Sequence, residues 1–396
     1  MPEIVVVSDV HEGITFGYRL HPETGISDRA LDLHRNFVQS AQYAIQKRAP
    51  IFIVTGDLFD RTHVSPAFRE MVRRDVIEPL GDAGVEVWLL AGNHDQPRSS
   101  QRGTSLDDFR GYNHVSVFKD LDIRERIIGS RRVAFFLVPF LHPEQIQERI
   151  QKKLGKDLPR EAWIEAGRRV LKGWLEKRVK EHDVDFRVML GHYYVEGARI
   201  SSVTSPEVLP HEFSFTKDMI PKEIDLAVFG HIHLHQKHGD KIVYVGAPER
   251  IDWGERKDPK GFLTIQVDKG TWQFVELPAR AMHKIVVQVS KEEDPTEAIR
   301  KALPQDIPEA LVRLEVHLPE GGRERVKEDQ IEKLLAKAFF YEVKWIEQGP
   351  EKVGFSEFTM DPTKLFEDFV ERNYEKDPRK EEILREGTAV LREVLQ

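Results

Sequence analysis

Five apolar runs, each closed by a polar cluster, organise the first half of this chain. They read IVVVSDVHEG (4–13), IFIVTGDLFD (51–60), WLLAGNHDQP (88–97), RVMLGHYYVEG (187–197) and DLAVFGHIHLH (225–235). From residue 1 to about 280, β-branched runs alternate with helical stretches. The pattern predicts strands at 4–8, 51–55 and 85–91 and helices at 28–48 and 66–80. Ser65 followed by Pro66 reads as an N-cap with proline in the first turn. In 160–181, Trp163, Ala166, Val170, Trp174 and Leu175 fall on one helical stripe and read as core packing. Strands alternating with helices predict a layered α/β domain, whose ligand sites gather at strand ends. The polar clusters fall at those ends.

Near residue 278 the pattern changes. Half-buried strand alternation at 283–289, 310–318 and 339–346, with helical stretches at 295–303 and 327–337, predicts a small α+β domain. A charged tail follows, with apolar residues at helical spacing in LFEDFVERNY and EEILREGTAVLREVL. The expected division is therefore 1–280, 281–350 and 351–396. An amphipathic terminal pair that cannot close its own core either docks on its own domain or offers a partner surface. Leu365, Phe366, Phe369 and Val370 are the candidate partner contacts.

Composition narrows the chemistry. A chain of 396 residues with 40% hydrophobic and 32% charged positions can bury a sizeable core under a heavily charged surface. There is no cysteine, so disulfides, thiolate metal sites and cysteine nucleophiles are excluded. The net charge of -8 argues against coating nucleic acid by bulk electrostatics, so any DNA contact needs a local basic patch. MPEIVVVSDV enters a strand at once, and no apolar run approaches the roughly 20 residues that span a bilayer. A cytoplasmic protein with no membrane association is expected.

The strand-end residues are carboxylates, imidazoles and one amide. Asp9 and His11 stand two apart after the first strand; Asp57 follows Gly56; Asn93 and His94 follow Gly92; His192 follows Gly191; His231 and His233 form Gly-His-x-His. A lone Asp-x-His carries no information and a lone Gly-Asp is usually a turn, but all five in order, each at a strand end, are more than turn chemistry. This mixed oxygen and nitrogen set suits a borderline divalent ion such as manganese or iron, and there are too many ligands for one ion. Two ions about 3.5–4 Å apart need a bridging carboxylate, and such a pair stabilises both attacking and leaving oxygens in phosphoester hydrolysis. Asp57 is the natural bridge. The first ion takes Asp9, His11, Asp57 and His233; the second takes Asp57, Asn93, His192 and His231. His94 is left to stabilise charge on the phosphate or to protonate the leaving oxygen, with Asp95 as the acid expected to orient its ring.

SDVHEG, GDLFD, GNHD, GHYY and GHIH resemble the calcineurin-like metallophosphoesterases, in the order that family uses them. The resemblance covers about residues 3–250 and implies a β-sandwich of two mixed sheets flanked by helices. Within that superfamily, VYVGAPERIDWGERKDPKGFLTIQV (243–267) resembles the SbcD nucleases, bacterial counterparts of the MRE-eleven break-repair nuclease; the small domain and the LFEDFVE tail also resemble that family's capping domain and partner-binding helices. This narrower resemblance implies two manganese ions, with magnesium or iron as alternatives. It also implies cleavage of DNA as a duplex-end exonuclease and a single-strand or hairpin endonuclease, in double-strand-break repair at the nucleoid. The implied partners are DNA, an SbcC-type (Rad-fifty-like) ATPase and a second copy in a homodimer. The chain has no phosphate-binding loop of its own, so ATP-driven steps would come from the ATPase.

The chain departs from the family pattern at Asp60, where relatives commonly write His, with His63 the nearest imidazole to replace it. Glu12 stands where leucine is usual, which predicts an extra negative charge near the metals, and the loop at 14–27 is longer than usual. Arg61, Arg98, Arg102 and Arg250 are the candidate DNA contacts, since arginines beside the site can meet phosphates. Two other functions share these motifs: a phosphodiesterase of the same chemistry acting on a small or non-DNA substrate, and a scaffold that only holds its ATPase. The intact ligand set disfavours the scaffold.

Overall fold

The structure is a computed structural model that describes residues 2–16, 19–97, 103–154, 159–200, 213–347, 366–367, 370–371 and 379–394. The first strand, β1 (Glu3–Val7), leads through a loop to α1 (Asp28–Lys47), then β2 (Ile51–Thr55). A helical stretch contains α2 (Pro66–Val72), a π-helical turn (Arg73–Ile77) and α3 (Glu78–Asp82). There follow β3 (Glu86–Leu90), β4 (Val115–Phe118), β5 (Asp122–Ile128), β6 (Arg131–Val138), α4 (Pro143–Leu154), α5 (Arg160–Glu181), β7 (Phe186–His192) and β8 (Leu226–Gly230). Short β9 (Gln236–His238) and β10 (Ile242–Tyr244) precede β11 (Gly261–Gln266) and β12 (Thr271–Glu276).

These strands make two six-stranded sheets, ordered β12-β11-β1-β2-β3-β4 and β5-β6-β7-β8-β10-β9. In the first, β1 to β4 run parallel, with β11 and β12 antiparallel at one side; in the second, β6, β7, β8 and β10 run parallel between antiparallel edges. Period-two alternation decides what each face buries. Ile4, Val6, Ile53, Trp88 and Leu90 point at Phe135, Leu137, Val188, Leu190 and Val228 in the core between the sheets. Their alternates Val5, Val7, Phe52, Val54 and Leu89 pack outward on Phe37, Ala41 and Leu80 of the α1–α3 layer. Ala134, Phe136, Met189 and Phe229 pack outward on Trp163, Leu171, Leu175 and Val179 of α5. The result is a helix/sheet/sheet/helix sandwich whose strands are apolar on both faces, as the unbroken runs require.

Local expectations fare differently. The strand at 51–55 and the helix near 28–48 are present, the latter capped by Ser27, whose hydroxyl accepts from the Arg29 amide. Ser65 sits at the cap of α2 but makes no side-chain capping bond. The helix expected over 66–80 is broken by the π-helical turn just ahead of Pro79. Proline lacks an amide donor and its ring crowds the carbonyl four residues back, here that of Asp75, so widening the helix there relieves the clash. On α5, Trp163 and Leu175 are buried and Ala166 and Trp174 pack on the core, but Val170 is 53% exposed and falls outside the packed stripe.

The small unit expected as α+β has three parallel strands, each joined to the next by a helix. These are β13 (Met282–Gln288), α6 (Pro295–Ala302), β14 (Leu311–Leu318), α7 (Glu328–Leu335) and β15 (Phe340–Glu347), with β14 in the centre. Val287, Ile299, Val312, Leu314, Val316, Ile331 and Leu335 form a separate core. Asp294 caps α6 by accepting from the Thr296 and Glu297 amides, with Pro295 in the first turn. The last described helix is α8 (Lys380–Val394).

Candidate metal centre

Parallel strand order brings the polar clusters to one edge of the sandwich. Asp9 and His11 follow β1, Asp57 follows β2, and Asn93 and His94 follow β3 in the first sheet; His192 ends β7, and His231 and His233 follow β8 in the second. The loops after β1 and β2 are stitched together by Asp9 N→Gly56 O (3.1 Å), His11 N→Asp57 O (3.0 Å) and Glu12 N→Leu58 O (2.9 Å). Across the seam, the His231 amide donates to both Asp9 oxygens, at 3.0 and 3.2 Å. Glycines permit the approach. A Cβ on Gly92 would lie 2.1 Å from Asp57 Oδ1 and 2.4 Å from the Asp57 amide nitrogen.

The imidazoles are oriented from behind. His192 Nδ1 donates to the Thr55 carbonyl at 2.8 Å, which leaves Nε2 facing Asn93 Oδ1 at 3.1 Å and Asp57 Oδ2 at 3.2 Å, with Asp9 Oδ1 at 3.9 Å. His233 Nδ1 donates to Glu255 Oε1 at 2.7 Å, which leaves Nε2 facing His11 Nε2 at 3.2 Å and Asp9 Oδ1 at 3.9 Å. His11 Nε2 also lies 3.8 Å from Asp57 Oδ2, and His231 Nδ1 3.0 Å from Asn93 Oδ1. Acceptor atoms therefore crowd together in a buried ring, a demand that protons on imidazole or bound cations relieve. Asp9, His11 and His233 form one group able to hold a metal, Asp9, Asp57 and His192 a second, and His11, Asp57 and His94 a third. Asp57 and His11 each belong to two of these, and Asp9 reaches both the first and the second. The donor set suits divalent metal ions.

Proton affinities reflect the same demand. Burial works against charge on His192, yet Asp57 and Asp9 raise its pKa to about 9. Burial alone would raise the Asp57 carboxyl, but His192, His94 and His11 hold it well below the usual carboxylate range. Burial pushes His11 down despite Asp60 and Asp57. His233 is raised, its burial outweighed by Glu255. In the metal-free chain, a proton on imidazole does part of the work that a metal ion would do.

His94 stands at the rim, its ring edge-on to His11 at 4.8 Å. Its amide donates to Asp57 Oδ1 at 2.9 Å and its Nδ1 to the Asp60 carbonyl at 2.6 Å, so Nε2 is the nitrogen left for a substrate. Burial opposes charge here too, but Asp57 and the Asp60 carbonyl raise the His94 pKa, which favours a proton donor.

Asp95 does not orient that ring. Fully buried, its oxygens accept from the amides of Gly92 (3.0 Å), Leu58 (3.2 Å) and Phe59 (3.1 Å), so it ties the loop after β3 to the loop after β2. Burial and the nearby Asp57 push its pKa up to about 7. The backbone carbonyl of Asp60 holds the place expected of its carboxylate. Glu12 also departs from expectation, because it turns away from the metals and binds His34 Nδ1 on α1 at 2.8 Å. His63 is exposed, whereas the Asp60 carboxylate lies 3.7 Å from His11 Nδ1.

Sequence reasoning missed Glu255 and Lys260, the buried pair behind His233. Their only trace was the Gly-Glu and Lys-Gly-Phe pattern of residues 254–262, whose side-chain targets spacing does not reveal. Of the proposed DNA contacts, Arg61 is exposed and paired with Asp60 at 3.1 Å. Arg98 and Arg102 lie outside the described residues. Arg250 is turned inward, donating to the carbonyls of Arg280 (2.8 Å) and Asp258 (3.3 Å), and burial lowers its pKa, so its guanidinium is largely spent on backbone. Of the proposed partner contacts, Leu365 and Phe369 lie outside the described residues, Val370 is fully buried, and the Phe366 ring packs so close to Gly387 of α8 that a Cβ there would meet it at 2.1 Å. Val370 and Phe366 thus bury apolar surface within the chain itself. Among the described residues, no helix is long and apolar enough to cross a membrane.

Residues 2–235 match the family profile of calcineurin-like phosphoesterases, which runs from β1 through β8 to just past the last histidine pair. The chain belongs to that family. Its layered sheets and strand-end His/Asp ring are those of a metallophosphoesterase. This phosphoesterase is 23% identical over 303 residues to the DNA double-strand break repair protein Mre11 of Aeropyrum pernix, an alignment covering 73% of the chain and 64% of that relative. Among solved structures it is similar to a dimetal phosphatase from Danio rerio (12% identity, TM-score 0.38, 66% of this chain and 91% of that one). It is also similar to a protein of unknown function from Aquifex aeolicus (12% identity, TM-score 0.23, 62% of this chain and 90% of that one).

Proposed function

We propose that this phosphoesterase is a two-metal DNA nuclease of the SbcD type, manganese-dependent, acting on duplex ends, single strands and hairpins in double-strand-break repair. The observation that carries this reading is the seam site, where seven side chains able to bind a metal gather and His94 stands at the rim with Nε2 turned from its backbone partner. In the proposal, Asp9, His11, Asp57 and His233 hold one ion and Asp57, Asn93, His192 and His231 hold the other. Two bound ions would polarise a phosphoryl oxygen and clamp the attacking and leaving oxygens. His94, held by the Asp60 carbonyl through Nδ1, presents Nε2 to protonate the leaving oxygen.

Two observations favour DNA over a small ester. One is the similarity to Mre11. The other is a groove of about 490 Å³ between the 250–257 loop and β13, where Arg256, Lys257 and Lys284 supply cations, Asp306 pairs with His283 at 3.3 Å, and Arg250 lines the wall with its guanidinium turned to backbone carbonyls. Arg256 follows Glu255, the partner of His233, directly in the chain, and cations on that loop suit phosphate contacts. In the same reading, residues 281–350 cap the DNA, residues 351–396 bind an SbcC-type ATPase, and two copies form a homodimer.

The test incubates purified protein and its His94→Gln variant with manganese, end-labelled duplex DNA and a small phosphodiester. Wild type is expected to degrade the DNA, and the variant to lose roughly 10²–10⁴-fold in rate while keeping metal and DNA binding. Turnover of the small ester with DNA untouched, even with the ATPase added, would instead make the protein a small-substrate phosphodiesterase.

A further inference from the structure

The loop from 247 to 260 carries an ion pair that the proposed reaction does not use. Glu255 and Lys260 are 0% and 1% exposed. Glu255 Oε1 accepts from His233 Nδ1 at 2.7 Å, while Oε2 accepts from Lys260 Nζ at 2.7 Å and from the Ile251 amide at 3.0 Å. Lys260 Nζ donates again to the His233 carbonyl at 3.2 Å, so one pair grips both the ring and the backbone of His233. A buried ion pair is poor value as a stabiliser, because apolar residues of similar volume often serve as well. Its place here calls for a positional reason.

We propose that Glu255 is a positioning residue for the metal ligand His233 and that Lys260, bonded to both the Glu255 carboxylate and the His233 carbonyl, holds that carboxylate in place. The carboxylate holds the proton on Nδ1, so Nε2 presents its lone pair towards Asp9 and His11, and a more basic imidazole binds a cation more tightly. The same loop is tied to its surroundings at its other end: Glu249 accepts from Arg29 at 2.9 Å and from the Arg280 amide at 3.2 Å. The inference rests on the metal-centre reading but not on the identity of the substrate.

The test uses the full chain and two double variants that leave no buried charge unpaired. Glu255→Gln/Lys260→Met keeps an oxygen that can accept from Nδ1, and Glu255→Leu/Lys260→Met removes it. Manganese uptake is read from the loss of the free-ion electron paramagnetic resonance signal, and the His233 tautomer from nitrogen-15 resonances of the metal-free protein. Wild type should bind two ions. The leucine-containing variant should lose about 10–100-fold in affinity for one ion only, with His233 shifting to a mixture of tautomers, and the glutamine-containing variant should recover part of both. If the leucine-containing variant does not fold, the glutamine-containing double variant carries the same two readouts, with a smaller loss expected in each. Wild-type affinity for both ions with an unchanged tautomer would overturn the proposal. A wild-type chain that takes up no manganese would remove the metal centre itself, a distinct failure that ends this inference as well.

Discussion

Asp9, His11, Asp57 and His231 hold φ angles of 54°, 53°, 51° and 82°. Left-handed backbone costs an L side chain roughly 1–2 kcal/mol, and such strain persists only where the surroundings over-determine it. Here the cross-bonded loops do so, and the strain turns four side chains into one ring. His192 gives the ring a measurable titration. Raised to about 9 in the metal-free chain, it carries a proton at neutral pH that a bound metal ion would have to displace. Calorimetric titration at pH 7 in two buffers of different ionisation enthalpy should therefore show roughly one proton released at that site, with affinity falling as the pH is lowered from 9. Buffer-independent heats would refute this. The stability sign follows the same shift: in metal-free protein the His192–Asp57 attraction is fully present below the unfolded value of 6.5 and is lost as pH rises through about 9. The candidate ligand residues were legible because they follow a glycine or close an apolar run. Asp95 was misread because its partners are backbone amides three residues back and one loop away, and adjacency to His94 gives no sign of them.

The helical stretch from 66 to 82 shows how one element serves another. Its π-helical turn, set by Pro79, carries Asp75 to His34 Nε2 at 3.1 Å, while Glu12 binds His34 Nδ1 at 2.8 Å. The chain from the metal-site loop through α1 to this turn is thus joined by one imidazole between two carboxylates. Burial lowers the His34 pKa, but Glu12 and Asp75 raise it above the ordinary value. A raised histidine contributes stability in full below 6.5 and loses it as pH climbs through the folded value. His34→Gln should cost roughly 3 kcal/mol at pH 6, since it strands a buried carboxylate, and progressively less towards pH 9. Urea unfolding of the metal-free protein at both pH values measures it; an equal cost at each would exclude a charged His34. Strand positions were legible from unbroken apolar runs, because a strand buried on both faces has few polar residues to confuse the reading. The π-helical turn was not, since a 3.6-residue period gives no notice of one extra residue accommodated ahead of a proline.

On the scale of the whole molecule, Arg280 joins the sandwich to the small unit. Its Nε and Nη2 donate to the two oxygens of Asp32 on α1 at 2.5 and 2.8 Å, its Nη1 donates to the Glu309 carbonyl at 2.7 Å, and its guanidinium lies 3.9 Å over the Phe339 ring. The loop at 14–27 reaches the same place, with Arg19 over the other approach to Phe339 at 4.7 Å. A double-mutant cycle of Asp32→Asn and Arg280→Met should return a coupling of roughly 2 kcal/mol, and Arg280→Met alone should let the small unit unfold in a separate, earlier transition. Additive effects with one shared transition would show that the joint lies elsewhere. The layered architecture was legible from the alternation of strands and helices; this joint was not, because a salt bridge between residues 248 positions apart leaves no local pattern. The seam between the sheets has one more consequence. Asp9, His11, Asp57 and Asn93 belong to one sheet and His192, His231 and His233 to the other. Any cation shared among them would be a rivet through both layers, added to the His231–Asp9 and His192–Thr55 bonds that already cross the seam, so a chelator would remove one of the ties between the two layers at that edge.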